Sequence, residues 1–256
     1  MSDALYGYAV VPAGTPVPAV DAILPGSPIL AITEGAVAVL ASPVPRAWFA
    51  EGPENRMADP AWIAARAASH HGVVAALGTR ALPLAFGALF SDTAPLAGWI
   101  APRAERLAAA LSAVAGSAEW SVSLGADEAA QAAHLAGTDA ALRALDSALA
   151  AATPGTAFLL SRRREKALAA AQLAQRQAAA TDLAARLTAL ARAVLPATPR
   201  PPALAAWSLL VRDADAAALR AALESEAEQL EAAGLTLSLS GPWPAYAFAR
   251  QVLADA

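Results

Sequence analysis

The spacing of apolar and polar positions along the chain predicts several strands. Alternating or short, bounded apolar runs predict strands at 5–11, 119–124, 206–211 and 235–240. Two further apolar runs, 29–32 and 36–40, are separated by three residues that end in Gly35. A short connection with glycine in this position is typical of a β-hairpin.

Longer segments with a helical period lie between these strands. They predict helices at 60–77, 93–116, 126–151, 155–195 and 214–233. Asp59 followed by Pro60 is a favourable start for the first helix, and Gly234 is a favourable stop for the last. Because the two central helices repeat leucine at heptad-like spacing around a Thr-Pro-Gly break, they predict a helical hairpin or arm over about 126–195.

This order of elements predicts an α+β fold built from two small ferredoxin-like α/β sandwich domains, with the helical arm in the second. We place the N-terminal domain at 1–116 and the C-terminal domain at 117–256, with the boundary near Gly116. In the first half we expect the helices to cover one face of the sheet.

Composition narrows the class of protein. Hydrophobic residues make up 57% of the chain, but proline and glycine interrupt every long uncharged run, so no membrane-spanning helix is expected. There is no cysteine, and the N-terminus lacks the basic and apolar regions of a secretory signal. The net charge of −4 argues against nucleic-acid binding. We therefore expect a soluble cytoplasmic protein.

Motifs of catalysis and cofactor binding are missing from the sequence. It has no glycine-rich phosphate loop, no His-Glu-x-x-His and no Gly-x-Ser-x-Gly. His70 and His71 are adjacent on a predicted helix and point about 100° apart, which is unsuitable for a shared metal. We therefore expect no enzyme activity, no catalytic or metal-binding residue and no cofactor. On residue chemistry alone, an interaction protein, a small-molecule enzyme on a ferredoxin-like fold and a regulatory module all remain possible.

One run of charged residues is a candidate binding surface. It consists of Arg162, Arg163, Arg164, Glu165 and Lys166, in the first turns of the long predicted helix. One interpretation is a solvated face with salt bridges to Glu165. The other is a basic patch that docks an acidic protein surface.

The segment from Ser240 to Phe248 combines two prolines with three aromatic residues, Trp243, Tyr246 and Phe248. Proline at two positions predicts a stiff, extended backbone rather than a helix. Large rings on a stiff segment usually serve in packing. We predict that the three rings form an anchor between the two domains, next to Phe86 and Trp120.

Several short motifs resemble those of the gas vesicle GvpL/GvpF family and follow one another in the family's order. They are Tyr6-Gly7-Tyr8, a histidine near position 70, Leu82-Pro83-x-x-Phe86-Gly87, Glu119-Trp120-x-Val122, Gly155-x-x-Phe158-Leu159 and Gly241-Pro242-Trp243-Pro244 with Tyr246-x-Phe248. Ala88 replaces a common threonine, and Ser123 and Leu124 depart from the usual continuation.

The resemblance implies an accessory or minor structural protein that acts in assembly of the gas-filled protein shell. It implies binding to the small gas vesicle shell protein and to other gas vesicle accessory proteins. The family has no catalytic residues to carry over.

Overall fold

The computed structural model describes residues 3–49 and 55–254. Within them lie nine strands: β1 Asp3–Pro12, β2 Leu30–Glu34, β3 Val37–Pro45, β4 Leu82–Pro83, β5 Leu89–Phe90, β6 Ser117–Ala126, β7 Ala193–Ala197, β8 Ala205–Arg212 and β9 Leu235–Trp243. The same residues form eight α-helices: α1 Pro60–Ala76, α2 Thr93–Ile100, α3 Ala104–Val114, α4 Glu128–Thr138, α5 Ala140–Ala150, α6 Pro154–Leu190, α7 Ala216–Ala232 and α8 Tyr246–Ala254.

The chain forms two compact units. The first comprises Met1–Glu119 together with Pro242–Ala256, and the second comprises Trp120–Gly241. The second unit is therefore inserted into the sequence of the first. The domain division at 116/117 stays a prediction, and the structure adds that the last 15 residues associate with the first unit.

Each unit is built on its own antiparallel sheet, and this confirms the predicted α+β class. The first sheet has the order β2-β3-β1-β4, with β5 also paired to β1, and the second has the order β7-β8-β6-β9. The two orders follow the same scheme: in each sheet, the first strand along the chain lies between the third and the fourth, and the second strand is at the edge beside the third. The ferredoxin-like assignment itself stays a prediction. None of the described helices combines the length and the apolar character needed to cross a lipid bilayer.

Strand β1 is the centre of the first unit, where it pairs with β3, β4 and β5. Every residue from Ala4 to Val11 is buried, so both faces of β1 are covered. Helices α1 and α3 both contact this strand. The nearly continuous apolar sequence of β1 is typical of a strand buried on both sides, and the expectation of helices on one face stays a prediction.

The predicted hairpin is present, with Gly35 at a φ of +60° between β2 and β3. However, β3 continues beyond the apolar run 36–40, through two prolines to Pro45. Its pairing with β2 extends only to Ala41, so residues 42–45 pair with β1 alone. Proline is tolerated there because the missing N–H can lie on the unpaired side of the strand.

The helices of the second unit depart from the sequence prediction at two places. The segment predicted as one helix over 126–151 divides into α4 and α5 at Asp139, whose carboxylate accepts a hydrogen bond from the Leu142 N–H at 2.9 Å. Helix α6 ends at Leu190, and the following apolar residues form β7. In the first unit, the predicted helix over 93–116 likewise divides at a turn that contains Pro102.

The predicted long helix is confirmed as α6, which spans 37 residues. Leu183 and Leu187, near its C-terminal end, are buried in the second core with Trp120 and Trp207. Its N-terminal part runs back along α5, where Arg164 forms an ion pair with Asp146. The two helices and the short turn between them form the expected hairpin.

Gly234 ends α7 and lies against the backbone of α4. Its φ is +74°, and a Cβ atom at this position would lie 2.2 Å from the backbone nitrogen of Gln131. The Gly234 carbonyl also accepts a hydrogen bond from the Asp127 N–H at 3.0 Å. Both the turn and the close approach of two backbones therefore require glycine.

We predict that Gly234→Ala destabilises the protein by about 2–4 kcal/mol, because it combines an unfavourable positive φ with a backbone clash. Gly137→Ala is the matched control, since a Cβ at that position meets no atom within 4 Å. Urea unfolding of both variants measures the difference. Equal unfolding midpoints would contradict the account.

Candidate functional site

Three polar side chains are buried together in the first unit. The Tyr6 hydroxyl lies 2.9 Å from Nδ1 of His70 and accepts a hydrogen bond from the Gly87 N–H at 3.3 Å. The Tyr8 hydroxyl accepts from the Ile23 N–H at 2.8 Å. Since Tyr6 comes from β1 and His70 from α1, the Tyr6–His70 bond joins the sheet to a helix, and the other two bonds join it to loops.

Aromatic rings surround this polar centre. The Tyr6 ring packs edge-on against His70 and Phe86, with centroid distances of 5.6 and 6.1 Å. The Tyr8 ring stacks on His70 at 5.9 Å. The Tyr246 ring, from the C-terminal helix, lies 6.4 Å from His70. We name Tyr6, Tyr8, His70, Phe86 and Tyr246 the aromatic cluster.

Burial keeps the ionisable members of the aromatic cluster neutral. It lowers the pKa of His70 to about 4, an effect opposed by a contact with the Leu84 backbone. Burial raises the pKa of Tyr6 well above its usual value. It also raises the pKa of Tyr246 to about 12, with a smaller contribution from the charge of Glu119. At neutral pH the Tyr6 hydroxyl and the His70 imidazole are therefore both neutral.

Both ends of α8 are fixed by charged side chains of the first unit. The buried carboxylate of Glu119 accepts a hydrogen bond from the Ala247 N–H at 2.7 Å, at the helix N-terminus. The guanidinium of Arg106 donates to the Val252 carbonyl near the C-terminus. An anion at the start and a cation at the end of a helix both interact favourably with its dipole.

The C-terminal segment differs from its prediction in conformation. Strand β9 continues to Trp243, and α8 begins three residues later, where an extended backbone was expected. Pro244 precedes the helix, so its fixed φ restricts the entry into α8 without breaking it. The interpretation of 240–248 as wholly extended is therefore wrong.

The five residues predicted as an anchor between domains lie in different environments. Phe86 and Tyr246 pack in the first core, and Phe248 is buried on α8. Trp243 is 43% exposed, with its ring 6.0 Å from that of His71. Trp120 lies in the second core, beneath the guanidinium of Arg220 at 4.8 Å. Their role as an anchor between domains stays a prediction.

The charged run 162–166 lies on the N-terminal part of α6. Arg162 forms an exposed ion pair with Glu165 at 3.0 Å, and Arg164 forms a bidentate pair with Asp146 on α5. Arg163 and Lys166 are exposed. Within the described part of the chain, neither of these two side chains forms an ion pair.

Phe158 and Leu159 lie one turn before this run, and from the sequence they were named in a motif but not as binding residues. They are 63% and 68% exposed, unusually high values for large apolar side chains. The Arg162 guanidinium lies over the Phe158 ring at 5.8 Å. The sequence does contain a signal for a shared surface. Phe158 and Leu159 lie four residues before Arg162 and Arg163, and residues four apart share a helix face.

The aromatic cluster gives a prediction about pH. In the unfolded chain His70 binds a proton below about pH 6.5, whereas in the folded protein it does so only below about pH 4. The free energy of unfolding should therefore decrease as the pH falls from about 6.5 to about 4, by up to about 3 kcal/mol. His70→Asn should reduce this decrease, because asparagine does not titrate.

Urea unfolding at several pH values between 4 and 7.5 (roughly the range in which histidine titrates) measures the effect. His134→Asn, on the half-buried histidine of α4, is the matched control for the same change of side chain. If His70→Asn loses as much stability on acidification as the unmodified protein, burial of His70 is not the cause.

The aromatic cluster brings together residues from motifs that are far apart in the sequence. Tyr6, His70 and Phe86 come from three stretches of the first half, and Tyr246 comes from the C-terminal motif. Glu119, from a further motif, binds the helix that carries Tyr246. Among the described residues, no three His, Asp or Glu side chains lie close enough together to hold a metal ion. The cluster is a packing centre in which Tyr6, Tyr8 and His70 are buried and Phe86 and Tyr246 are half-buried.

Comparison with known proteins agrees with these motifs. A family model described as "Gas vesicle synthesis protein GvpL/GvpF" matches residues 4–250. Gas vesicle protein L2 of Halobacterium salinarum is 33% identical over 187 residues, which cover 68% of this chain. The match spans 66% of that relative, just under two thirds of its length.

Solved structures show the same fold. The crystal structure of the gas vesicle protein GvpF from Anabaena sp. PCC7120 has a TM-score of 0.73 at 17% identity, covering 97% of this chain and 98% of that one. GvpF from Microcystis aeruginosa has a TM-score of 0.68 at 16% identity, covering 97% and 99%. The solved structures agree in fold, and the match of the family model over residues 4–250 shows that the chain belongs to the gas vesicle GvpL/GvpF family.

Proposed function

We propose that the protein is a gas vesicle accessory or minor structural protein that acts by binding other proteins during assembly of the gas-filled shell. Its partners are the gas vesicle shell protein and other gas vesicle accessory proteins, and it works in the cytoplasm, at the vesicle. It acts without catalysing a reaction and without a cofactor.

The observation that carries this proposal is the exposed surface of α6. Three large apolar side chains on this helix, Phe158, Leu159 and Leu173, are between 57% and 68% exposed. Single exposed apolar residues are common on protein surfaces, but a group on one element is typical of an interaction surface. Helix α6 presents this group beside a run of arginines.

The distribution of perturbed ionisable groups supports binding over catalysis. An enzyme needs its acid or base in an accessible cleft. Among the described residues, the largest pKa changes occur at Tyr6, His70 and Tyr246, in the packed aromatic cluster. These changes are explained by burial of the three side chains.

A clean deletion of the gene in a vesicle-forming cell tests the proposal. We expect few or no buoyant vesicles, because assembly would lack one of its binding proteins. Electron microscopy and flotation measure vesicle number and shape. Complementation with the unmodified gene is the control, and it should restore buoyancy. Vesicles of normal number and shape in the deletion strain would refute the proposed role.

A further inference from the structure

The exposed side of α6 carries a continuous stripe that combines apolar and basic residues. Leu159, Arg163, Lys166, Ala170 and Leu173 follow one another at spacings of four, three, four and three residues, and all five are exposed. This spacing is that of a helix-pairing surface. The stripe is about 21 Å long, from a rise of 1.5 Å per residue. Its length therefore corresponds to about four turns of a partner helix.

The ends of the stripe are apolar and its centre is cationic. Leu159 and Leu173 are 68% and 57% exposed, and Phe158 beside Leu159 widens the apolar part. Between these ends lie Arg163 and Lys166. We name Phe158, Leu159, Arg162, Arg163, Lys166 and Leu173 the α6 patch.

Pairing within the chain leaves the α6 patch positively charged. Residues 162–166 carry four cationic side chains and a single carboxylate. Glu165 pairs with Arg162, and Asp146 of α5 pairs with Arg164. The charges of Arg163 and Lys166 are therefore not balanced by ion pairs in the described part of the chain. This concentration of positive charge occurs in a protein whose net charge is −4.

From these observations we infer that the α6 patch binds an amphipathic helix with acidic flanks on a partner protein. The inference rests on the proposed function and identifies the class of partner. Apolar side chains of the partner helix pack on Phe158, Leu159 and Leu173, and its carboxylates pair with Arg162, Arg163 and Lys166. A helix in an apolar surface is a common mode of recognition, and complementary charge selects acidic over basic helices.

The test uses the full-length protein and two labelled synthetic peptides of about 20 residues, a length that matches the stripe. Both peptides carry leucine at heptad core positions, and their flanking positions are glutamate in one and lysine in the other. Fluorescence anisotropy measures their affinities at about 50 mM and about 300 mM NaCl, where screening is weak and strong respectively.

We expect the glutamate peptide to bind at least about tenfold more tightly than the lysine peptide at low salt, and to weaken at high salt. Arg162→Glu combined with Arg163→Glu should lower its affinity about tenfold or more. Arg200→Glu combined with Arg250→Glu is the matched control, since it changes the net charge equally at two exposed arginines elsewhere. This control should leave the affinity nearly unchanged.

Phe158→Ser combined with Leu159→Ser tests the apolar part of the patch. The double variant should lower the affinity for the glutamate peptide at both salt concentrations, while the ratio of the affinities at low and high salt stays the same. Phe158, Leu159, Arg162 and Arg163 are all exposed. Both double variants of the patch should therefore retain the circular dichroism and melting temperature of the unmodified protein.

Three results would overturn the inference. One is equal binding of the glutamate peptide by the charge-reversed protein and by its control. Another is arginine-dependent binding to anionic phospholipid vesicles without binding to the peptide, which would identify a lipid surface as the occupant. The third is self-association in sedimentation that the charge reversal abolishes, which would identify a second copy of this chain.

The deletion experiment distinguishes failure of this inference from failure of the proposed function. If deletion abolishes vesicles and the charge-reversed gene restores them fully, only the role of the α6 patch is refuted. If deletion leaves vesicles normal, the proposed function fails, whatever the peptide measurements show.

Discussion

The return of the chain's last residues to the first unit is the constraint on which the rest of the structure depends. The second unit lies between Glu119 and Pro242 in sequence, so the first unit is complete only when its final segment packs against it. A carboxylate fixes the start of α8, and the Tyr246 ring contacts His70. A local helix of nine residues would not be stable alone, so its stability comes from these contacts.

Most residues of the motifs that resemble the family's first-half and C-terminal motifs serve this packing of the first unit. The motif residues Tyr6, His70, Phe86, Glu119 and Tyr246 meet inside the first unit, where they hold its core together. Their position indicates that they are needed for the fold. The N-terminal part of α6, by contrast, exposes both large apolar and basic side chains.

Much of the fold follows from local sequence. Asp59 caps α1 as its position before proline predicts, and Gly35 forms the hairpin turn. Two sequence predictions are wrong where packing overrides local preference. Residues 193–197 form β7, although their apolar spacing also suits a helix, and α8 begins two residues after Pro244 in a segment predicted to be extended. The convergence of Tyr6, His70 and Tyr246 was not predictable from one sequence, because no local period relates residues so far apart. The exposure of Phe158 also depends on tertiary structure.

Native-state hydrogen exchange of Phe248→Ala tests the central claim most directly. Removing this buried ring costs about 3–5 kcal/mol. Amides of β1 and α1 should exchange faster, because α8 is part of their unit, while amides of β8 and α7 in the second unit should change less. Trp243→Ala, at a ring that is 43% exposed, is the control and should have a smaller effect. Faster exchange confined to β8 and α7, with β1 and α1 unchanged, would contradict the account.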